Sequence, residues 1–214
     1  MSGALPTTPA FTDLSISSIV PTIISRSIAG KRQVRQIGGQ YFKLYASFPL
    51  MTRSEFAPIY AFIMKQRGSY ESFTVVPPVV GSTTGTSLGT PLVNGASQTG
   101  RTVVTDGWTG DQTAGNLLKA GDYIKFANHT KIYNIVADNA SDAGGNSSLT
   151  IEPALITSPA ENDVITTSSV PFTVYLMGGG LIEYSTGFDN LFSFALDLCE
   201  ALLVEDCQQP SKLL

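Results

Sequence analysis

RQIGGQYFKLYASFPLMTRSEFAPIYAFIMKQRGSYESFTVVPP, residues 35–78, sets the architecture. From Tyr41 the residues alternate in type, so Phe42, Leu44, Ala46 and Phe48 fall on one face of an extended chain. A period of two with aromatic enrichment is the pattern of a strand. Gly38-Gly39 just before it marks a turn or bulge, and Pro49 ends the strand. The period then changes: Phe56, Ile59, Tyr60 and Ile63 stand at helical spacing. Thr52 with Glu55 has the spacing of a capping box, and Met51 with Phe56 that of a hydrophobic staple. Lys65 and Arg67 lie where the helix dipole favours cations, and Gly68 suits a left-handed C-terminal cap. Pro58 is in conflict with the cap. If Thr52 caps, Pro58 lies inside the helix and kinks it; if Ser54 caps, Pro58 sits near the tolerated first turn. A helix over residues 54–67 is predicted. Glu71–Val76 reads as the next strand, stopped by Pro77-Pro78.

Working outward, Ile16, Ile19, Val20, Ile23 and Ile24 make the leader β-prone, with mixed periodicity. After Pro78 the composition shifts to Gly, Ser, Thr and Asn. Short strands are predicted at Leu92-Val93, Arg101–Thr105, Ser148–Glu152 and Val164–Thr166. Tyr123–Phe126 and Lys131–Val136 read as a hairpin turning at Asn128-His129. Long strands resume at Pro171–Met177, Leu181–Tyr184 and Phe192–Leu198, where a helix over 189–205 is the alternative. The organisation reads as an insertion: residues 1–78 and 171–214 form one discontinuous β-domain, and residues 79–170 form a guest β-module. The fold class expected is mainly β, a β-rich α+β chain with a barrel or sandwich-like domain, one helix and the inserted module.

The chain has 214 residues, enough to bury a core without metal or disulfide. Only 14% are charged, against about 25% in average proteins. That suits a protein packed against copies of itself, and equally a plain β-protein. The net charge of −4 is unevenly placed: residues 1–80 carry +5, residues 81–170 carry −4 and residues 171–214 carry −5. A nucleic-acid binder shows a basic excess over a whole domain, so no nucleic-acid site is expected. The split instead suits head-to-tail contact between subunits. Arg32, Arg35, Arg53 and Arg67 are the basic candidates, and Asp189, Asp197, Glu200, Glu205 and Asp206 the acidic ones. Phe192–Leu198 is a candidate exposed edge for a neighbour to cover. No apolar run is long enough for a membrane span, and the opening residues lack the regions of a signal peptide. Cys199 and Cys207 are expected as free thiols.

Catalytic patterns are missing. The single histidine, His129, has no nucleophile elbow to serve and is expected on an exposed turn. Asp138, Asn139, Asp142 and Asn146 faintly follow a calcium loop, but its twelfth position falls on Leu149. The glycine-rich stretches lack the phosphate-cradle pattern. Neither enzyme activity nor a cofactor or metal is expected.

Residues 31–78 resemble a pattern of minor tail proteins of tailed bacteriophages: an arginine-rich lead, a GGQ turn, an aromatic strand, Pro-x-Met-Thr-Arg and a helix of the form EFAPIYAFxxxQRG. Residues 120–155 are similar to the inserted β-module found with it, and Pro171–Leu176 to the return into the parent domain. The resemblance implies a distal-tail or baseplate-hub type subunit of the virion tail, made in the host cytoplasm. Such subunits form rings, commonly sixfold, linking the tail tube to the tip or receptor-binding apparatus. Its implied partners are its own copies in a hexameric ring and other tail proteins: tube, hub and fibre. Two rivals stand beside this reading. In one, the insert binds host glycan, with Trp108, Tyr123 and Tyr133 stacking on sugar faces; in the other, the chain is a tail-tube or adaptor subunit.

Overall fold

The computed structural model describes residues 3–109, 117–178, 182–187 and 189–202. It is mainly β with one helix, as the alternating sequence requires. Residues 1–75 with 173–214 form one compact unit, and residues 76–172 form the other.

The first unit opens with β1 (Asp13–Ile19), β2 (Thr22–Arg26), β3 (Arg32–Gln36) and β4 (Tyr41–Ser47). Phe42, Leu44 and Ala46 of β4 are buried while Tyr45 between them is exposed, so the period of two is realised. The helix α1 (Arg53–Lys65) follows, then β5 (Phe73–Val75). Thr52 is the cap, and its N–H and hydroxyl both donate to the Glu55 carboxylate, at 2.9 and 2.8 Å. Those bonds hold the Glu55 carboxyl below its ordinary pKa. Pro58 therefore lies inside the helix, with Ser54 as the residue whose carbonyl goes without an N–H partner there. Phe56, Ile59 and Ile63 form the buried stripe.

The remaining strands of this unit come from the far end of the chain: β12 (Phe172–Leu176), β13 (Tyr184–Thr186) and β14 (Phe192–Glu200). The sheet order is β1-β4-β14-β12-β5, with β13 also on β14. Leu44 stands opposite Leu198 and Ile16, and Ala46 opposite Leu196 and Leu14, so one face of the sheet is a continuous apolar layer. Helix α1 is joined to the sheet by aromatic contacts: Phe56 stacks on Phe192 at 4.6 Å, and Phe62 meets Phe73 edge-on at 5.5 Å. Two expectations are corrected here. Phe192–Leu198 is not an edge: β14 is paired on both sides, so no neighbour can add to it. Cys199 is not a free thiol but disulfide-bonded, and the other cysteine, Cys207, lies outside the described residues.

The second unit contains β6 (Gly89–Val93), β7 (Thr102–Trp108), β8 (Tyr123–Phe126), β9 (Tyr133–Ile135), β10 (Ser147–Glu152) and β11 (Ile165–Thr166). They follow the order β11-β8-β9-β10-β7-β6. A bridge between Leu92 and Val164, with Val93 N–H on Asp163 O at 3.0 Å, brings the two ends together into a nearly closed barrel. Its interior holds Val103, Ile124, Phe126, Ile135, Leu149 and Ile151 among others, all fully buried. Gly145 has a positive φ and passes so close to the Trp108 carbonyl that any Cβ would collide with it. Glycine is required there by backbone proximity as well as by conformation.

His129 follows the β8 turn, as the hairpin reading expects, but it is buried rather than exposed. Its ring packs on Phe126 and Tyr133, and Nδ1 shares a 3.0 Å hydrogen bond with the Tyr133 hydroxyl. Burial lowers its pKa; the charge of Asp163 and a bond with the Ser158 backbone oppose that and do not overcome it. A depressed base contributes stability that is fully present above its unfolded pKa of about 6.5 and is lost as pH falls through the folded value.

Two outcomes are expected. The chain's only histidine should titrate below 6.5 by NMR, with thermal stability of the barrel falling on acidification below that pH; a value at or above 6.5 would contradict the burial. In urea titrations Leu44→Ala should cost about 2–5 kcal/mol, whereas Met64→Ala, at an exposed position of α1, should stay within about 0.5 kcal/mol.

Candidate functional site

The feature with no structural explanation inside the chain is the β2–β3 hairpin. Every residue of both strands is exposed, and the pair makes its own two-stranded sheet. Residues 27–31 close the turn, with Ser27 N–H on Lys31 O at 3.0 Å and Gly30 at a positive φ. The β-branched residues Thr22, Ile23, Ile24 and Val34 favour extended backbone on both sides of the turn. An isolated two-stranded hairpin is marginal in water. This arm nevertheless exposes Ile23, Ile24 and Val34 by half or more.

Its charges add to the anomaly. Arg26 stands directly opposite Arg32, and Arg35 opposite Ile23. Like charges facing one another across strands destabilise the pair. Among the described residues, Arg26, Lys31, Arg32 and Arg35 make no ion pair. An arm that is apolar and cationic at once, and unsupported on both faces, has the composition of a contact surface.

The structure brings only some of the sequence candidates together. Arg32 and Arg35 lie on β3 of the arm. Arg53 opens α1 and Arg67 follows its end, which separates them by about 20 Å of helix at 1.5 Å per residue. They are exposed but do not form one basic face with the arm. Asp189 is exposed in the connection from β13 to β14, and Asp197 is exposed on the outward side of β14. Glu200 is a correction: it is fully buried and accepts a hydrogen bond from the Phe42 N–H at 3.1 Å. Its position at the inward register of β14, opposite the Phe42 end of β4, makes it a sheet component, not a surface charge. Glu205 and Asp206 lie outside the described residues.

The stacking set is corrected as well. Trp108 is 4% exposed, and its indole N–H donates to the Thr105 hydroxyl at 2.8 Å. Tyr133 is fully buried, with its hydroxyl on His129. Tyr123 is half-buried against Phe172, and that burial raises its pKa. The three rings offer no shared exposed face for a sugar. The turn of the faint calcium pattern is closed by its own groups: Asp142 Oδ1 accepts from the N–H groups of Gly144 and Asn146, at 2.9 and 2.8 Å. Among the described residues no group of three or more His, Cys, Asp or Glu is placed to hold a metal. No described helix is long and apolar enough to cross a membrane.

Sequence reading missed the arm because its signal is weak: Ile23 and Ile24 are adjacent, so neither a period of two nor a helical period emerges. The usable signal was Ala29-Gly30 flanked by β-branched residues on both sides.

No curated protein matches the chain. Residues 79–170, the greater part of the barrel unit, match the family described as Distal tail protein pb9, B domain. Residues 79–170 are thus similar to a domain of a phage distal tail protein, which supports the resemblance carried by residues 31–78, and the fold is mainly β as that resemblance implies.

Proposed function

We propose that this chain is the ring-forming subunit at the distal end of a phage tail, a hexamer that joins the tail tube to the tip or receptor-binding apparatus. A structural role in the tail follows from the family of residues 79–170. The ring is the finer step, and the unsupported β2–β3 arm carries it. A surface that is apolar, cationic and incomplete in the single chain is completed by a neighbour. Heterologous contacts of this kind close into rings when the rotation allows. In this reading residues 1–78 with 171–214 form the ring. Asp189 and Asp197, which remain exposed, are the acidic candidates to meet Arg32 and Arg35 of the next copy. The glycan-binding alternative loses its support, because Trp108, Tyr123 and Tyr133 share no exposed face.

The test is the mass of the purified chain in solution by light scattering at low and high salt. A closed oligomer of six that loosens as salt rises is expected, because surface charge contacts are screened. A monomer at every salt concentration overturns self-driven ring formation.

A further inference from the structure

The period of two that buries Leu44 sends a different set of side chains to the other side of the same sheet. Register places Ser15, Tyr45 and Asp197 in one outward row. Lys43 and Tyr175 occupy the next row, on either side of Cys199, and Tyr41 stands beyond it opposite Ile19. Tyr45 and Asp197 are exposed, and Tyr41 and Tyr175 are half-buried. Three tyrosines on one outward sheet face are more than solvation requires. Tyrosine offers a flat ring on which a guanidinium stacks, and arginine is the cation suited to it. Asp197 makes no ion pair among the described residues.

We propose that this tyrosine face, built on Tyr41, Tyr45, Tyr175 and Asp197, receives the β2–β3 arm of a second copy of the chain. The inference rests on the ring reading and names the surface the arm meets. Charge favours it: residues 22–36 hold four of the chain's thirteen cations and none of its seventeen acids, and Asp197 stands exposed at the centre of the face. Size favours it too. A five-residue strand spans about 17 Å, and four strands at about 4.8 Å spacing present a face roughly 14 Å or more across. The arm can thus lie across β1, β4, β14 and β12. Ile24 and Val34, directly opposite each other, meet the rings, while Arg26 and Arg32, on the same face of the arm, reach Asp197 and the tyrosine faces. An arm docked on its own sheet would hide its apolar residues; Ile23 at 56% and Ile24 at 54% exposure show that it does not.

The experiment uses the full chain at low salt, with association measured by sedimentation and folding checked by circular dichroism. Arg26→Glu with Arg32→Glu, Asp197→Arg, Tyr45→Ser and Ser15→Arg are compared with the parent. Each is expected to weaken association at least tenfold, and combining Asp197→Arg with the two arm reversals to recover most of it. Ser15→Arg, at an exposed serine beside Tyr45, keeps the test decisive if a tyrosine or aspartate variant folds poorly. If the arm reversals dissociate the oligomer while Asp197→Arg, Tyr45→Ser and Ser15→Arg leave it within twofold, the arm docks elsewhere: the ring reading stands and this inference falls. An oligomer indifferent to every variant also overturns the inference. A parent that is monomeric throughout overturns both.

Discussion

The first unit depends on one strand arriving from the far end of the chain. β14 lies between β4 and β12, and without it the apolar layer of Leu44, Ala46, Leu196 and Leu198 has no centre. The pairing spans more than 140 residues, and at its limit the Glu200 carboxylate caps the Phe42 N–H 158 positions away. Closing so long a loop costs entropy that grows only slowly with length. The geometry at the junction keeps that cost small, because β5, where the chain leaves the sheet, and β12, where it returns, are neighbours. The ends of residues 76–172 are thus held close by the parent sheet whatever is built between them. A guest with its own core can occupy that position, and the barrel has one in Phe126, Ile135, Leu149 and Ile151. The same topology makes folding slow, since non-local strand pairs pay their closure cost before they gain contacts.

Against that well-determined sheet the arm is the opposite case. β2 and β3 bury nothing, hold only each other, and set Arg26 against Arg32. Regions of low local stability are where proteins place the elements that bind. The arm's register is fixed by five paired positions, so its two faces are defined even though neither is covered. One face carries Ile24 with Val34 and the two opposed arginines; the other carries Ile23 beside Arg35. Each combines dispersion contacts with charge, which gives a partner both affinity and orientation.

Local pattern made much of the fold legible and little of the site. The alternation at Tyr41–Phe48 and the helical spacing from Phe56 to Ile63 are properties of short stretches, and both reappear as β4 and α1. So does the β8–β9 hairpin, with Ile124 opposite Tyr133. What failed was everything set by which elements become neighbours. Phe192–Leu198 reads as a strand, but sequence does not say that it takes the centre of the sheet. Glu200 is an ordinary acid until β4 presents a main-chain N–H to it. Trp108, Tyr133 and His129 have polar atoms that suggest a surface, yet Thr105 satisfies the indole and Tyr133 and His129 satisfy each other. Burial of a polar aromatic depends on finding that partner, and the partner is a tertiary fact.

The burial of those rings also decides where recognition resides. In the barrel unit the large aromatic side chains are spent on the interior, and the acidic loop at Asp142 is closed by Gly144 and Asn146. In the first unit the reverse holds: tyrosines face outward at Tyr41, Tyr45 and Tyr175 while leucines fill the inside. Aromatic and arginine side chains are the residues that dominate protein contacts, and both kinds are exposed on the discontinuous unit. With few charges overall, the chain has little general repulsion to keep copies apart. The four cations concentrated on the arm give any contact it makes a preference for acidic surface.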